Sequence, residues 1–487
     1  AFSDPGAAQR SGGDHIRATG STGGALTNSL LGFGQGAGLV LTTGANGWQV
    51  TGCQIESNGL ADPIADGLTL ASSGTLTLSG NLVRSNRALG ADLRTSTGAN
   101  TIAQNTISAN GVGTGAAPTE TAGLALGGAG STADRNELSG NYGAGVMVAS
   151  GGSTNILTRN SVYNNGTIVS AGGAAASGQV GIDLLAAADD AGRGTSPYRT
   201  RNDSGDGDTG GNALLNFPVL EQATVAGANL TLTGWARPGS TIELFVADTD
   251  PSGFGEGRTY VTTFVEGSGS DLDVTTSSYS GAINGVDQGA DNTSRFRFTV
   301  ATPPGVSSGV SLTATATIAA SGTSEFSGRV TVGGGVTVSG FAYADLNHDS
   351  GRDPGEAGTS RAIWVKLVRE PLPQTATQVV SADPATGAFA FTAVAANTYS
   401  LVIDDNATAT DVTPAYPSGW VGTQAAPGVR SGLVVGGLDV ANQDFGLWNG
   451  STLDGRVTQD DGAGGGIANN GGPEGGEAGV PDVWLRL

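Results

Sequence analysis

Gln54-Ile55-Glu56-Ser57-Asn58, Leu82-Val83-Arg84-Ser85-Asn86, Thr106-Ile107-Ser108-Ala109-Asn110, Glu137-Leu138-Ser139-Gly140-Asn141 and Ser161-Val162-Tyr163-Asn164-Asn165 share one pattern, a buried-type apolar residue in second place and a terminal Asn. Counted at Asn58, Asn86, Asn110, Asn141 and Asn164, the intervals are 28, 24, 31 and 23 residues. Those are coil lengths for a parallel β-solenoid, in which each turn of short strands stacks on the last and the small and aliphatic side chains share one continuous core. An Asn recurring at one corner is expected to take the left-handed conformation and to hydrogen-bond its stacked neighbour. A second unit recurs between the first: Asp66-Gly67-Leu68-Thr69-Leu70, Gly90-Ala91-Asp92-Leu93, Ala122-Gly123-Leu124-Ala125-Leu126, Gly143-Ala144-Gly145-Val146-Met147-Val148 and Val180-Gly181-Ile182-Asp183-Leu184. It marks another face of the same coils, and together the two units place a parallel β-helix over residues 1–215.

These repeats resemble those of right-handed parallel β-helices in pectate-lyase-like and bacterial surface proteins. The resemblance speaks for fold and says little about function. Beyond it, Asn229-Leu230-Thr231-Leu232-Thr233-Gly234, Ser240-Thr241-Ile242-Glu243-Leu244-Phe245-Val246-Ala247, Ser294-Arg295-Phe296-Arg297-Phe298-Thr299-Val300 and Val310-Ser311-Leu312-Thr313-Ala314-Thr315-Ala316-Thr317 alternate at the period of strands. Short strands separated by turn residues predict an immunoglobulin-like β-sandwich over 216–333, opened by Asn216-Phe217-Pro218 and closed by Thr323-Ser324-Glu325-Phe326-Ser327.

The stretch Asp345-Leu346-Asn347-His348-Asp349-Ser350-Gly351-Arg352-Asp353-Pro354-Gly355-Glu356 puts oxygen-bearing side chains at relative positions 1, 3, 5, 9 and 12. A hard divalent cation takes six to eight oxygens, so Asp345, Asn347, Asp349, Asp353 and Glu356, with the Gly351 carbonyl, form a candidate calcium set. The flanks, Val336 to Tyr343 and Ala362 to Val368, read as strands and not as helices, so the loop belongs to a β-sandwich. From Val336 to Trp448 the chain resembles the calcium-binding B-type repeats of serine-aspartate surface adhesins, a transthyretin-like sandwich family that includes the B modules of collagen adhesins. Thr386 to Thr392 with Asn397 to Ile403 looks like that family's central hairpin, and Asn442 to Leu447 like its closing strand. The resemblance implies calcium as the cofactor and a module over 334–449. In the helical calcium loop the sharp-turn Gly holds position 6, which here is Ser350. From Leu453 to Leu487 the order strand, Gly/Asp loop, Gly-Glu-Ala-Gly, strand returns, so 450–487 reads as the start of a second such module and the chain as part of a longer modular protein.

The expected fold class is therefore all-β, a right-handed parallel β-helix followed by immunoglobulin-like and transthyretin-like sandwiches. Composition agrees with an extracellular setting. The formal charge is −21, Gly contributes 83 of 487 residues, and Lys366 is the lone lysine. With no basic patch to neutralise phosphates, nucleic acid is excluded as a partner. Cys53 is alone, so no intrachain disulfide forms, and no apolar run approaches the length of a transmembrane segment. His15 and His348 are the only histidines, too few for a zinc cluster or a histidine triad.

Other carboxylates are weighed one by one. Asp66, Asp92 and Asp183 recur on the solenoid and could line a groove, but are read as solvated turn residues. Asp203, Asp206 and Asp208 form an ion-site candidate at the solenoid exit, and Asp248, Asp250 and Glu256 a weaker one in the sandwich loop. Cys53 is read as a buried stacking residue. Strand alternation puts Ile363, Val365 and Leu367 inward and Lys366 outward, without the acidic partner an isopeptide crosslink would need. The functional expectation is a secreted, non-enzymatic protein of a bacterial cell surface, an adhesin, stalk or matrix subunit whose module joints are stiffened by calcium. Its partners would be copies of itself, or cell-surface and matrix components including polysaccharide. Two alternatives are a self-assembling filament subunit and a polysaccharide-binding or polysaccharide-cleaving β-helix.

Overall fold

The computed structural model describes residues 12–62, 64–72, 74–112, 119–170, 173–226, 228–424, 428–436, 438–449, 456–472 and 476–481. The residues on which a second module was expected to start, Leu453 to Gly455, and those expected to form its strand around Trp484 lie outside the described residues. The described residues are all-β apart from a single 3-10 turn, and they fall into two compact units, 1–336 and 337–487. No described helix is long and apolar enough to cross a membrane.

The first unit opens with three parallel sheets wound into one β-helix. One sheet runs from Ile16–Thr19 through Leu39–Thr42, Leu68–Ala71, Ala91–Leu93, Leu124–Leu126 and Val146–Val148 to Ile182–Leu184. The other two have six strands each, from Ala25–Thr27 to Ile156–Thr158 and from Leu30–Gly32 to Ser161–Tyr163. In-register pairing stacks like on like: Ile55, Val83, Ile107, Leu138 and Val162 form one inward column, and Val50, Leu78, Ile102, Ala133 and Leu157 another. All lie in one apolar core, which is the main term holding the coils together.

Asparagine ladders run beside the core. Each rung accepts from the coil before it: Asn86 Nδ2 donates to Asn110 Oδ1 at 2.9 Å, and Asn110 Nδ2 to Asn141 Oδ1 at 3.0 Å. The last rung of this ladder is Asn165, not Asn164 as the repeat count assumed; Asn141 Nδ2 donates to Asn165 Oδ1 at 2.9 Å. The left-handed corner falls one place before the expected Asn in the first four repeats, on Ser57, Ser85, Ala109 and Gly140, and on the counted Asn164 in the fifth. The turn residue absorbs the positive φ so that the following Asn can point inward. A parallel ladder joins Asn81, Asn105, Asn136 and Asn160, with Cys53 as its first rung, its N–H donating to Asn81 Oδ1. The glycines of the second repeat unit answer the first ladder directly. A Cβ at Gly67 would lie 2.5 Å from Asn86 Nδ2, and one at Gly123 2.6 Å from Asn141 Nδ2.

The same unit continues into a sandwich of two five-strand sheets, one around Asn229–Ala236 and Val286–Ala301, the other around Thr241–Ala247 and Ser311–Ile318. Leu230, Leu232, Ile242, Leu244, Phe264, Phe296, Phe298 and Leu312 fill it. Phe245 and Phe326 of this sandwich belong instead to the solenoid core, plugging its last coil. The second unit holds two four-stranded sheets. One orders Ala388–Val394, Val336–Ala344, Phe445–Asn449 and Trp420–Gly422; the other orders Gln378–Ser381, Trp364–Arg369, Asn397–Asp404 and Val429–Val435.

Candidate metal sites and buried carboxyls

The loop 345–356 leaves the end of strand Val336–Ala344, and its two ends are its buried parts. The Asp345 N–H donates to the Leu447 carbonyl at 2.8 Å, tying the loop to the closing strand. Glu356 accepts from Leu346 N through Oε1 and from Asp353 N through Oε2, both at 2.8 Å. Asp345 Oδ2 accepts from Ser350 N at 3.0 Å. Burial opposes ionisation of Asp345, yet the Thr423 hydroxyl and the backbone N–H groups of Ser350, His348 and Asp349 hold its carboxyl below the usual range. Thr423 Oγ1, the Tyr343 hydroxyl and Asp345 Oδ1 are all shut off from water without an aligned hydrogen bond.

The middle of the loop is exposed and closes on itself. Asn347 Nδ2 donates to Asp349 Oδ2 at 3.0 Å and to Asp353 Oδ2 at 2.8 Å, so an amide donor stands between two carboxylates. Gly351 N donates to Asp349 Oδ1 at 2.8 Å. An oxygen-seeking cation would need Asn347 to present Oδ1 instead, a rotation of one amide. The carboxylates of this loop are thus near one another along the chain but are not drawn to one point. His348 is exposed and lies over Trp448, ring centroids 5.1 Å apart.

Among the described residues, the group that does converge is Asp203, Asp206 and Asp208, whose ligand atoms lie within 4.8 Å of one another. Asp203 Oδ1 and Asp208 Oδ1 are buried without partners. Burial, then the charges of Asp203 and Asp206, push Asp208 up to about 6. Arg237 is the nearby counter-charge, 3.9 Å from Asp206 and 3.2 Å from Asp291. The third acidic set is dispersed: Asp248 accepts from Asn164 N, Asp250 from Ser252 N, and Glu256 from Asn165 N.

Two expectations are corrected. Asp66, Asp92 and Asp183 are not solvated turn residues; they are 5, 9 and 3 % exposed. Asp66 accepts from Leu89 N and Thr69 Oγ1, and Asp92 pairs with Arg94, which also reaches Glu120 at 2.8 Å. Burial first, then Asp92, raises Asp66 well above its usual range; burial, Glu325 and Asp189 do the same to Asp183. The cause is that loops cover the outer face of this sheet, where Leu89, Ala122, Ala125, Ala144, Met147 and Leu185 form a second apolar cluster. Lys366 likewise points into the protein, at 0 % exposure, with its ammonium on the equally buried Asp404. It also donates to the Asp411 carbonyl at 2.6 Å and to Asn406 Oδ1 at 3.4 Å. Alternation fails because both faces of strand Trp364–Arg369 are covered, the second by Ala376, Val402 and Val412.

Sequence reasoning missed Glu243 and Glu325 altogether, and it placed Glu256 in an acidic set without its contact to the last coil, where it accepts from Asn165 N. All three are buried where the sandwich meets the last solenoid coil. Their signal is absent from the repeats because they lie far along the chain from the coils they finish.

Residues 10–184 match the family described as the right handed beta helix region. That match covers the solenoid alone. No curated protein matches the chain. Among solved structures, a variant of BcpA, the major pilin subunit of Bacillus cereus, aligns over 47% of this chain and 69% of its own, at 9% identity and a TM-score of 0.17. A likeness that slight carries no argument about this protein.

Proposed function

We propose that this chain is a non-catalytic, extracellular structural or adhesive protein of a bacterial surface, with calcium as the ion that orders its acidic loops. The observation that carries the reading is where the buried polar groups go. In the solenoid the interior asparagines run from coil to coil, Asp66 accepts from Leu89 N and Asp92 pairs with Arg94, which makes a stiff body and leaves its polar outer sheets free to contact other surfaces. In the loop 345–356, Asp345, Asn347, Asp349, Asp353 and Glu356 with the Gly351 carbonyl would supply the oxygens, the buried Asp345 carboxylate anchoring the set; Asp203, Asp206 and Asp208 would hold a second ion. An ion bound only by the folded state stabilises it by about 2.7 kcal/mol at a hundred times its dissociation constant. The test is thermal unfolding in calcium and in excess chelator, on the natural chain and on Asp345→Ala. Calcium is expected to raise the transition of the second unit, and Asp345→Ala to abolish that rise. An unchanged midpoint in the natural chain would remove calcium from the reading.

Filament assembly is a second reading favoured by one observation. Among the described residues, strands Ile16–Thr19, Ala25–Thr27 and Leu30–Gly32 of the first coil each have a partner on one side only. The opposite end of the solenoid meets the sandwich, whose Phe245 and Phe326 join the solenoid core. Negative-stain imaging of the purified chain decides it: filaments at neutral pH support it, and single particles at every concentration argue against it.

A further inference from the structure

Strand Thr276–Ile283 stands at the end of its five-strand sheet, hydrogen-bonded to Val286–Ala301 on one side. Arg295 N donates to the Thr275 carbonyl at 2.7 Å. Bonded residues alternate along an antiparallel ladder, so the backbone groups of 275, 277 and 279 turn toward Val286–Ala301 and those of Thr276, Ser278 and Ser280 turn outward. The side chains of these three are exposed as well. Sheets blunt such edges with charge, proline, bulges or covering chain. Here residues 274–286 contain no Asp, Glu, Lys, Arg or Pro, and the register shift at Gly281 marks the end of the flat stretch. Two other edge strands are treated differently. Gly257–Val265 carries Arg258, whose carbonyl accepts from Ser161 Oγ of the last coil at 2.6 Å. Ala388–Val394 is also uncharged, but its Ala388 carbonyl accepts from Asp383 N at 2.8 Å and its Thr392 carbonyl from Gln378 Nε2 at 3.1 Å.

Charge decides what can pair there. The chain carries a formal −21, so two copies repel wherever their carboxylates meet. This edge is neutral, and so is the row behind it, where Ser294, Asn292 and Ala290 stand opposite Thr276, Ser278 and Ser280. The flanking carboxylates are engaged within the chain, Asp273 with Arg295 at 3.1 Å and Asp287 with Arg201 at 3.0 Å. We propose that a second copy of this chain pairs with the edge, the two Thr276–Ile283 strands running antiparallel about a twofold axis at Ser278. A twofold contact is self-complementary, each strand offering the outward donors and acceptors that the other lacks. Thr276 then meets Ser280 of the second copy, Ser278 meets its own counterpart, and Val274, which is 64 % exposed, comes opposite Ala282. The two five-strand sheets become one of ten. Such a pair is closed, whereas growth from the first coil would be open-ended, so mass tells the two kinds of assembly apart.

Sedimentation equilibrium on the full chain tests this. The average mass is expected to rise from one chain toward two, and no further, between about 1 μM and about 1 mM. Ser278→Lys and Ser278→Asp each set like charges face to face on the axis and should weaken pairing at least tenfold. An equimolar mixture of the two should pair at least as well as the natural chain, since Lys then meets Asp. Thr77→Lys, on an exposed face of the solenoid, should leave pairing unchanged. Hydrogen exchange needs no variant: protection of the segment containing Thr276 to Ser280 should rise at least tenfold over the same concentrations, while the segment containing Thr262 and Thr263 stays level. A natural chain that remains single throughout overturns the proposal. So does pairing of undiminished strength in both charged variants, or a mixture of the two, each melting like the natural chain, that stays unpaired. If either variant does not fold, level exchange across Thr276 to Ser280 has the same force.

Discussion

The Asn110 side chain accepts from Asn86 N and Asn86 Nδ2 and donates to Val83 O and Asn141 Oδ1, so one residue closes the polar interior of three coils. Replacing it by Ala leaves those partners buried and unpaired, and Asn110→Ala is expected to cost about 3 kcal/mol or more, read as a lowered unfolding midpoint of the first unit. A surface change such as Thr77→Ala should be nearly silent by the same measure. Lys366 poses the opposite case, a charge that is buried together with its counter-charge. Removing one member strands the other, so Lys366→Met is expected to destabilise the second unit by about 3–5 kcal/mol, whereas Lys366→Met with Asp404→Leu should recover most of the loss. Equal losses in the single and double variants would mean that the pair is not the relevant feature. One Asn row was legible because it repeats, while the second, through Asn81, Asn105, Asn136 and Asn160, was not read; nor was the burial of Lys366, since it depends on chain packed over the outer face of its strand.

At the scale of elements, close approach sets the tolerances. A Cβ at Gly127 would come within 1.7 Å of the Arg94 carbonyl on the coil before, so Gly127→Ala is expected to cost about 3 kcal/mol or more and to lower the yield of folded protein. Gly151, where an added Cβ meets nothing within 4 Å, should accept Ala without loss and serves as the control. Most long strands of the sandwiches could be read from alternation. The hairpin of Thr276–Ile283 and Val286–Ala301 was read only in its last third, although Asn284 and Gly285 form its turn with φ of 53° and 86°. Its strands escaped notice because one side of Thr276–Ile283 is largely exposed and polar, which flattens the apolar alternation. In the loop 345–356 the side-chain spacing was legible and the orientation of the Asn347 amide between Asp349 and Asp353 was not.

For the whole molecule, the division into 1–336 and 337–487 predicts two calorimetric transitions. The first unit, with the solenoid core running into Phe245 and Phe326, should melt as one body, so that Glu256→Gln or Asn110→Ala moves the solenoid and its sandwich together. Lys366→Met should move the other transition alone. Three separate transitions would show that the sandwich at 219–334 is independent of the coils. Sequence by itself determined the solenoid, its coil length, the two sandwiches and the spacing of the acidic loop, because those rest on local periodicity, turn chemistry and the stacking of like residues. Tertiary structure alone decided that Asp66, Asp92, Asp183 and Lys366 are buried, and that carboxyls from beyond residue 240 complete the hydrogen bonds of a coil ending near residue 184. The physical reason is that burial and pairing across long separations depend on what packs over a face, and no window of neighbouring residues contains that information.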